Sequence, residues 1–151
     1  MNPYMHQYQQ NQVQTASREQ ILIMLYDGAI RFVGQARQAI ENGDRLGRLE
    51  PISRAMAIIS ELSNSLDHSI GGEVAENLDA LYNFMIRSLI EANRNVDAKP
   101  LETVENLLKT LRATWAEAIQ IVKDEGQAAN GEEQGYDAGS PDGYKRLSAA
   151  L

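Results

Sequence analysis

Cysteine is absent from this sequence, which excludes disulfides and thiolate chemistry and suits a reducing cytoplasm. Histidine is nearly as scarce. His6 and His68 form no i, i+4 pair, and neither completes a Glu-x-x-His motif, so the usual helical metal sites have no ligands to draw on. No glycine-rich phosphate loop occurs; Gly71-Gly72 reads as a helix break. No apolar run approaches the roughly 18 residues of a membrane span, and MNPYMHQYQQ lacks the basic flank and apolar stretch of a secretory signal. The expectation is a cytoplasmic protein without membrane insertion. The formal net charge of -7 argues against nucleic acid as a partner, because that binding depends on basic surface. The charge is unevenly spread, with six acids and two bases after Lys123.

Aromatic residues are also few, with one Trp and two Phe, so Leu, Ile and Ala carry the hydrophobic load. That balance favours helices packed on helices. At 151 residues the chain is long enough for one domain with a proper core.

Four helical segments follow from periodicity and caps. Ser17 with Gln20 forms a capping box, and Ile21, Leu25, Gly28, Phe32 and Ala36 recur at helical spacing until Asn42-Gly43, predicting a helix over 18–42. Asp44 caps a second helix over 44–69. Pro51 either starts its regular part near Glu50 or kinks it, and the kink is preferred because Leu46 and Leu49 would otherwise be exposed. Ala55, Met56, Ile59, Leu62 and Leu66 face inward. A third helix spans 73–95, with Val74, Leu78, Leu81, Met85, Leu89 and Ala92 inward. Pro100 opens a fourth over 100–124, where Leu101, Val104, Leu108, Leu111 and Trp115 continue the pattern. Short connections imply antiparallel neighbours, so the fold class is all-α, an up-down four-helix bundle. Residues 1–16 form a polar, Gln-rich arm, 17–124 the bundle, and 125–151 an acidic tail of linker composition. Tyr144, Leu147 and Leu151 are spaced for one amphipathic helical turn at the end of that tail, but a frayed tail is the preferred reading.

Acid–base catalysis has candidates in Asp27, Glu73, Glu76 and Asp79, but charges of this kind ordinarily solvate a helix surface. A phosphotransfer bundle would need an exposed His partway along a helix beside a cation; His68 sits near a break beside Asp67. The distinctive feature is surplus apolar surface on the third and fourth helices. Leu81, Tyr82, Met85, Ile86, Leu89 and Ile90 cover most of one circumference, and Leu107 joins Leu108 and Leu111. Such a surplus marks a groove for an amphipathic partner, or else a homodimer contact.

The blocks NPYMHQYQQNQVQTAS, EQILIMLYDGAIRF, SELSNSLD, GGEVAENLDALYNFMIRSLIEAN and LLKTLRATWAEAI, in that order over residues 2–123, resemble the FliS family of flagellar secretion chaperones. The resemblance implies a non-enzymatic four-helix bundle, without cofactor, that binds the C-terminal segment of flagellin and delivers it to the flagellar export gate. On this reading Tyr4 and Tyr8 match the family's arm tyrosines. The partner-binding set adds Ile58 and Leu62 on the second helix, Leu78, Leu81, Tyr82, Met85 and Ile86 on the third, and Val104, Leu107, Leu108 and Leu111 on the fourth. Tyr82, Ile86 and Leu107 are expected off the inward stripes. Arg18 and Pro51 depart from the family pattern, which commonly has a proline at the first and an uninterrupted helix at the second.

Overall fold

The computed structural model describes residues 17–131, and among these every element is helix or turn. Tyr4, Tyr8, His6 and the sequence after Gly131 lie outside the described residues. Helix α1 spans Arg18–Glu41. Its start is the expected capping box: Ser17 Oγ accepts from the Gln20 backbone N–H, and the Ser17 N–H donates to Gln20 Oε1, both at 3.2 Å. At its end Gly43 takes φ 80°. There the Asp44 N–H reaches Ala39 O at 2.8 Å and the Gly43 N–H reaches Ile40 O at 3.1 Å, satisfying carbonyls the helix leaves open.

The next segment corrects the expected helix over 44–69. Leu46–Arg48 is a 3-10 turn whose Gly47 N–H donates to Asp44 Oδ1 at 3.0 Å. Helix α2 then runs Leu49–Asn64. Pro51 sits in its first turn, where a backbone N–H has no intrahelical acceptor to lose, so no kink is required. Leu46 and Leu49 are 77% and 45% exposed, and the burial that favoured a kinked helix does not exist. Asp67 ends the segment by capping the next one: its Oδ1 accepts from the Ser69 and Ile70 N–H groups at 3.0 and 3.2 Å.

Helix α3 therefore begins at His68 and extends to Asn95. The Gly71-Gly72 break survives inside it, because Gly72 has φ 53° and ψ -127°. Val96 then turns the chain in a left-handed conformation, φ 50° and ψ 50°. Asp97 Oδ1 accepts from the Lys99 N–H at 3.0 Å and opens α4, Ala98–Gly131. Pro100 is thus the third residue of α4, not the first, and the helix continues past the expected end at 124. No breaker precedes Gly126, and Ala128 and Ala129 favour continuation.

α1 packs on α2 and α4, and α3 closes the ring against the same two, giving an up-down four-helix bundle. None of the described helices is long and apolar enough to cross a membrane. The core stripes of α2 and α4 are largely as expected, with Ile52, Ala55, Ile59, Leu62, Leu101, Val104, Leu108 and Trp115 buried. That of α1 is turned by one residue as far as Val33, whereas α3 keeps Leu78, Met85, Leu89 and Ala92 inward as expected and differs at two positions. Leu22, Tyr26, Ala29 and Val33 point inward in place of Ile21, Leu25, Gly28 and Phe32; Ala75 and Tyr82 replace Val74 and Leu81.

A hydrogen-bonded hub explains the turn. Tyr26 on α1 and Tyr82 on α3 meet across the bundle diagonal, hydroxyl to hydroxyl at 2.6 Å, and Trp115 Nε1–H on α4 donates to the Tyr26 hydroxyl at 3.2 Å. Inside a core each of these polar tips needs a partner, and the three supply one another.

Candidate functional site

The cross-helix contacts fix which side of each helix faces which neighbour. On α3, Asp79 accepts from Ser63 Oγ of α2 at 2.7 Å, and the Asn93 carbonyl accepts from Arg48 Nε at 3.2 Å. Ile86 lies midway between them at seven-residue spacing, so it shares the side that faces α2. Leu81, Phe84 and Ser88 lie on the opposite side, toward α4. On α4, Glu105 takes Arg37 Nε at 2.7 Å and Asp27 takes Arg112 Nε at 2.5 Å, so positions 105 and 112 face α1. Leu107, Leu111, Thr114, Ala118 and Ile121 occupy the side away from α1, toward α3.

The proposed partner-binding residues are therefore not brought together. Leu62, Leu78, Tyr82, Met85, Val104 and Leu108 are in the core. Tyr82 corrects an expectation directly: placed off the inward stripe by spacing, it is 1% exposed, because its hydroxyl has Tyr26 to bond. Ile58 lies in the α1–α2 seam, where its Cδ1 would stand 3.2 Å from a Cβ on Gly28. Near it, Arg18, Ile21, Leu22, Leu25, Glu61, Leu62 and Ser65 line a pocket of about 220 Å³ beside the start of α1. Ile86 belongs to the α2–α3 seam and packs on the core.

By helical spacing Leu81, Leu107 and Leu111 lie on the sides of α3 and α4 that face each other. All three are half-buried, and Phe84 beside them is 41% exposed. Ser88 is folded out of the way, its hydroxyl donating to Phe84 O at 2.9 Å. Because Tyr82 and Trp115 share the Tyr26 hydroxyl, they mark one level of the bundle. Val74, Ala118 and Ile121 lie on the α4-terminal side of that level and extend the strip, with Ile121 45% exposed. Phe84 and Ile121 were not expected in the partner-binding set. Their signal was available: Asn77 and Phe84, and Leu107, Thr114 and Ile121, repeat at seven residues on the sides that face each other.

The seam on the other side of α4, between α1 and α4, is polar. Glu105 is 8% exposed, and Lys109 Nζ joins Arg37 on it at 3.2 Å. Burial pushes the Glu105 carboxyl up, but Arg37 and Lys109 together outweigh it and hold the group below its ordinary range. This layer registers α1 against α4. Of the residues considered for acid–base or phosphotransfer chemistry, Asp27 and Asp79 are engaged by Arg112 and Ser63, and His68 is the first residue of α3 next to the capping Asp67.

Residues 1–122 match the family described as flagellar protein FliS. The chain belongs to the FliS family. It is 37% identical over 130 residues to the flagellar secretion chaperone FliS of Bacillus subtilis strain 168, covering 86% of this chain and 96% of that one. Identity to the Salmonella typhimurium LT2 chaperone of the same name is 42% over 104 residues, 68% of this chain and 77% of the relative. The protein named flagellar secretion chaperone FliSB in Pseudomonas aeruginosa PAO1 is 37% identical over 115 residues, 74% of this chain and 91% of its own length. FliS relatives are named as chaperones, a non-enzymatic family. The family match ends at residue 122, inside α4, so the last turns of that helix and everything after them lie beyond it.

Proposed function

We propose that this FliS protein is a cytoplasmic export chaperone that binds the C-terminal segment of flagellin along the α3–α4 seam. Binding there prevents premature polymerisation, and the complex is delivered to the flagellar type III export apparatus. The observation that carries the reading is an apolar strip in which Phe84 and Ile121 are exposed and Leu81, Leu107 and Leu111 half-buried, on a chain whose relatives are secretion chaperones. An amphipathic segment that orders only on binding gains its affinity from such a strip, minus the cost of its own ordering. A segment that stays escapable for export needs an interface of about 1,500 Å².

Mixing the protein with a flagellin C-terminal peptide gives a stable one-to-one complex on this reading. Phe84→Asp abolishes it while leaving helix content intact, since a charge on an exposed helix face stays hydrated. Undiminished binding by Phe84→Asp, with loss in a variant of the α1–α2 pocket, would move the client to the other seam.

A further inference from the structure

The outer half of the α3–α4 seam carries a feature that client binding does not require. Glu73 and Glu76 on α3 and Glu117, Asp124 and Glu125 on α4 each lie within about a helical turn of Val74 or Ile121, and all five are exposed. Lys123 is the one base on α4 beyond Arg112 among the described residues. A partly exposed apolar strip is thus bordered by negative charge, close to the point where α4 ends.

After Gly131 the sequence reads EEQGYDAGSPDGYKRLSAAL. Its only bases, Lys145 and Arg146, are embedded among Tyr144, Leu147 and Leu151, which fall on one helical face. We propose that this segment of the same chain, Tyr144–Leu151, docks back onto the outer half of the α3–α4 seam. Its apolar face covers Val74, Leu81 and Ile121, and its cationic pair meets the acidic border. The rest of the region after Gly131 is acidic and would be repelled there, so the charge pattern selects this segment.

The distances allow it. Ile121 lies about 15 Å and Leu111 about 30 Å back along α4 from Gly131 at helical rise. The twelve residues 132–143, with three Gly and four acids, have a root-mean-square span of about 19 Å as a Gly-rich coil and at most about 40 Å when extended. The seam's outer half falls within the typical span, where effective concentration is highest, in the millimolar range. A segment of two helical turns with millimolar intrinsic affinity would occupy the seam about half the time. Because the strip is also the proposed client site, the segment acts as a built-in competitor; that role rests on the flagellin reading, whereas the docking does not.

The lack of cysteine makes the test clean. Ala149, on the opposite face of the turn, is replaced by Cys in the full chain and given a nitroxide spin label. Docking broadens the resonances of Val74, Leu81 and Ile121, and adding Leu147→Asp with Leu151→Asp or raising salt to molar strength removes the broadening. Broadening that is uniform, centred on the α1–α2 seam, or unchanged by the double substitution overturns the proposal. So does broadening that appears equally when labelled chains are mixed with separate isotope-enriched chains, since the contact is then between copies. In the same double variant, without the label, affinity for the flagellin peptide rises about twofold if the segment competes. Unchanged affinity with localised broadening overturns the competitor role and leaves docking standing. Absence of any peptide binding, with broadening intact, overturns the flagellin reading alone.

Discussion

At the scale of single residues, the Tyr26–Tyr82–Trp115 hub decides more than any other contact. It joins three helices through side chains that are at most 4% exposed, so a lost bond finds no replacement in water. Tyr82→Phe removes one bond and leaves Tyr26 held by Trp115; it should cost about 1 kcal/mol. Tyr26→Phe strands both neighbours and should cost about 2–4 kcal/mol. Denaturant titration checks the order, with the midpoint falling and the slope unchanged. Burial also pushes both phenols above their ordinary value. In the unfolded chain they ionise near pH 10, so above that pH the folded state binds more protons and stability falls as pH rises. The Tyr82→Phe protein should lose less stability between pH 9.5 and 11 than the unaltered one. Equal losses would show that the Tyr82 phenol ionises freely in the fold. The hub was half legible: spacing singled out Trp115 as inward, but helical period alone does not choose between Leu81 and Tyr82 until an acceptor for the hydroxyl is known.

At the scale of elements, positive φ is accommodated by different residues at two breaks, Gly72 and Val96. Gly72 at φ 53° and ψ -127° has no atoms within 4 Å of a would-be Cβ, so Gly72→Ala costs only backbone strain, about 1–3 kcal/mol. Val96 accepts the reverse situation, a β-branched residue held at φ 50° to end α3. Val96→Gly should raise stability by about 0.5–1 kcal/mol, because relief of the left-handed strain exceeds glycine's entropy cost. A lower thermal midpoint for Val96→Gly would mean that the valine's packing outweighs its strain. Helix existence was readable from caps and period throughout. What failed was the run from 44 to 69, where the argument depended on burying Leu46 and Leu49. Pro51 in a first turn gives up nothing, and two leucines facing solvent are no liability when a partner surface or water meets them. Pro51→Ala should accordingly change stability by less than about 1 kcal/mol, mainly through the unfolded state.

At the scale of the whole molecule, the question is what meets the apolar surface while no client is bound. Among the described residues, Phe84 and Ile121 in the seam are exposed, and the pocket lined by Ile21 and Leu25 also includes Arg18, the first residue of α1. If residues 1–16 cover client-binding surface, arm and client compete, and arm deletion raises apparent affinity by the inverse of the uncovered fraction. If Tyr4 and Tyr8 instead pack against the bound client, deletion weakens binding, because their ring contacts vanish. Competition is the favoured outcome, since a Gln-rich segment without hydrophobic period is cheap to displace. Deletion then leaves apolar area bare in the empty protein, which should self-associate more readily, while the complex should not. Calorimetric titration of full-length and arm-deleted proteins with one flagellin peptide decides the case. Weaker binding after deletion rules out a purely competitive cover, and a gain that persists when Leu147 and Leu151 are also replaced by Asp assigns it to the arm and not to the tail.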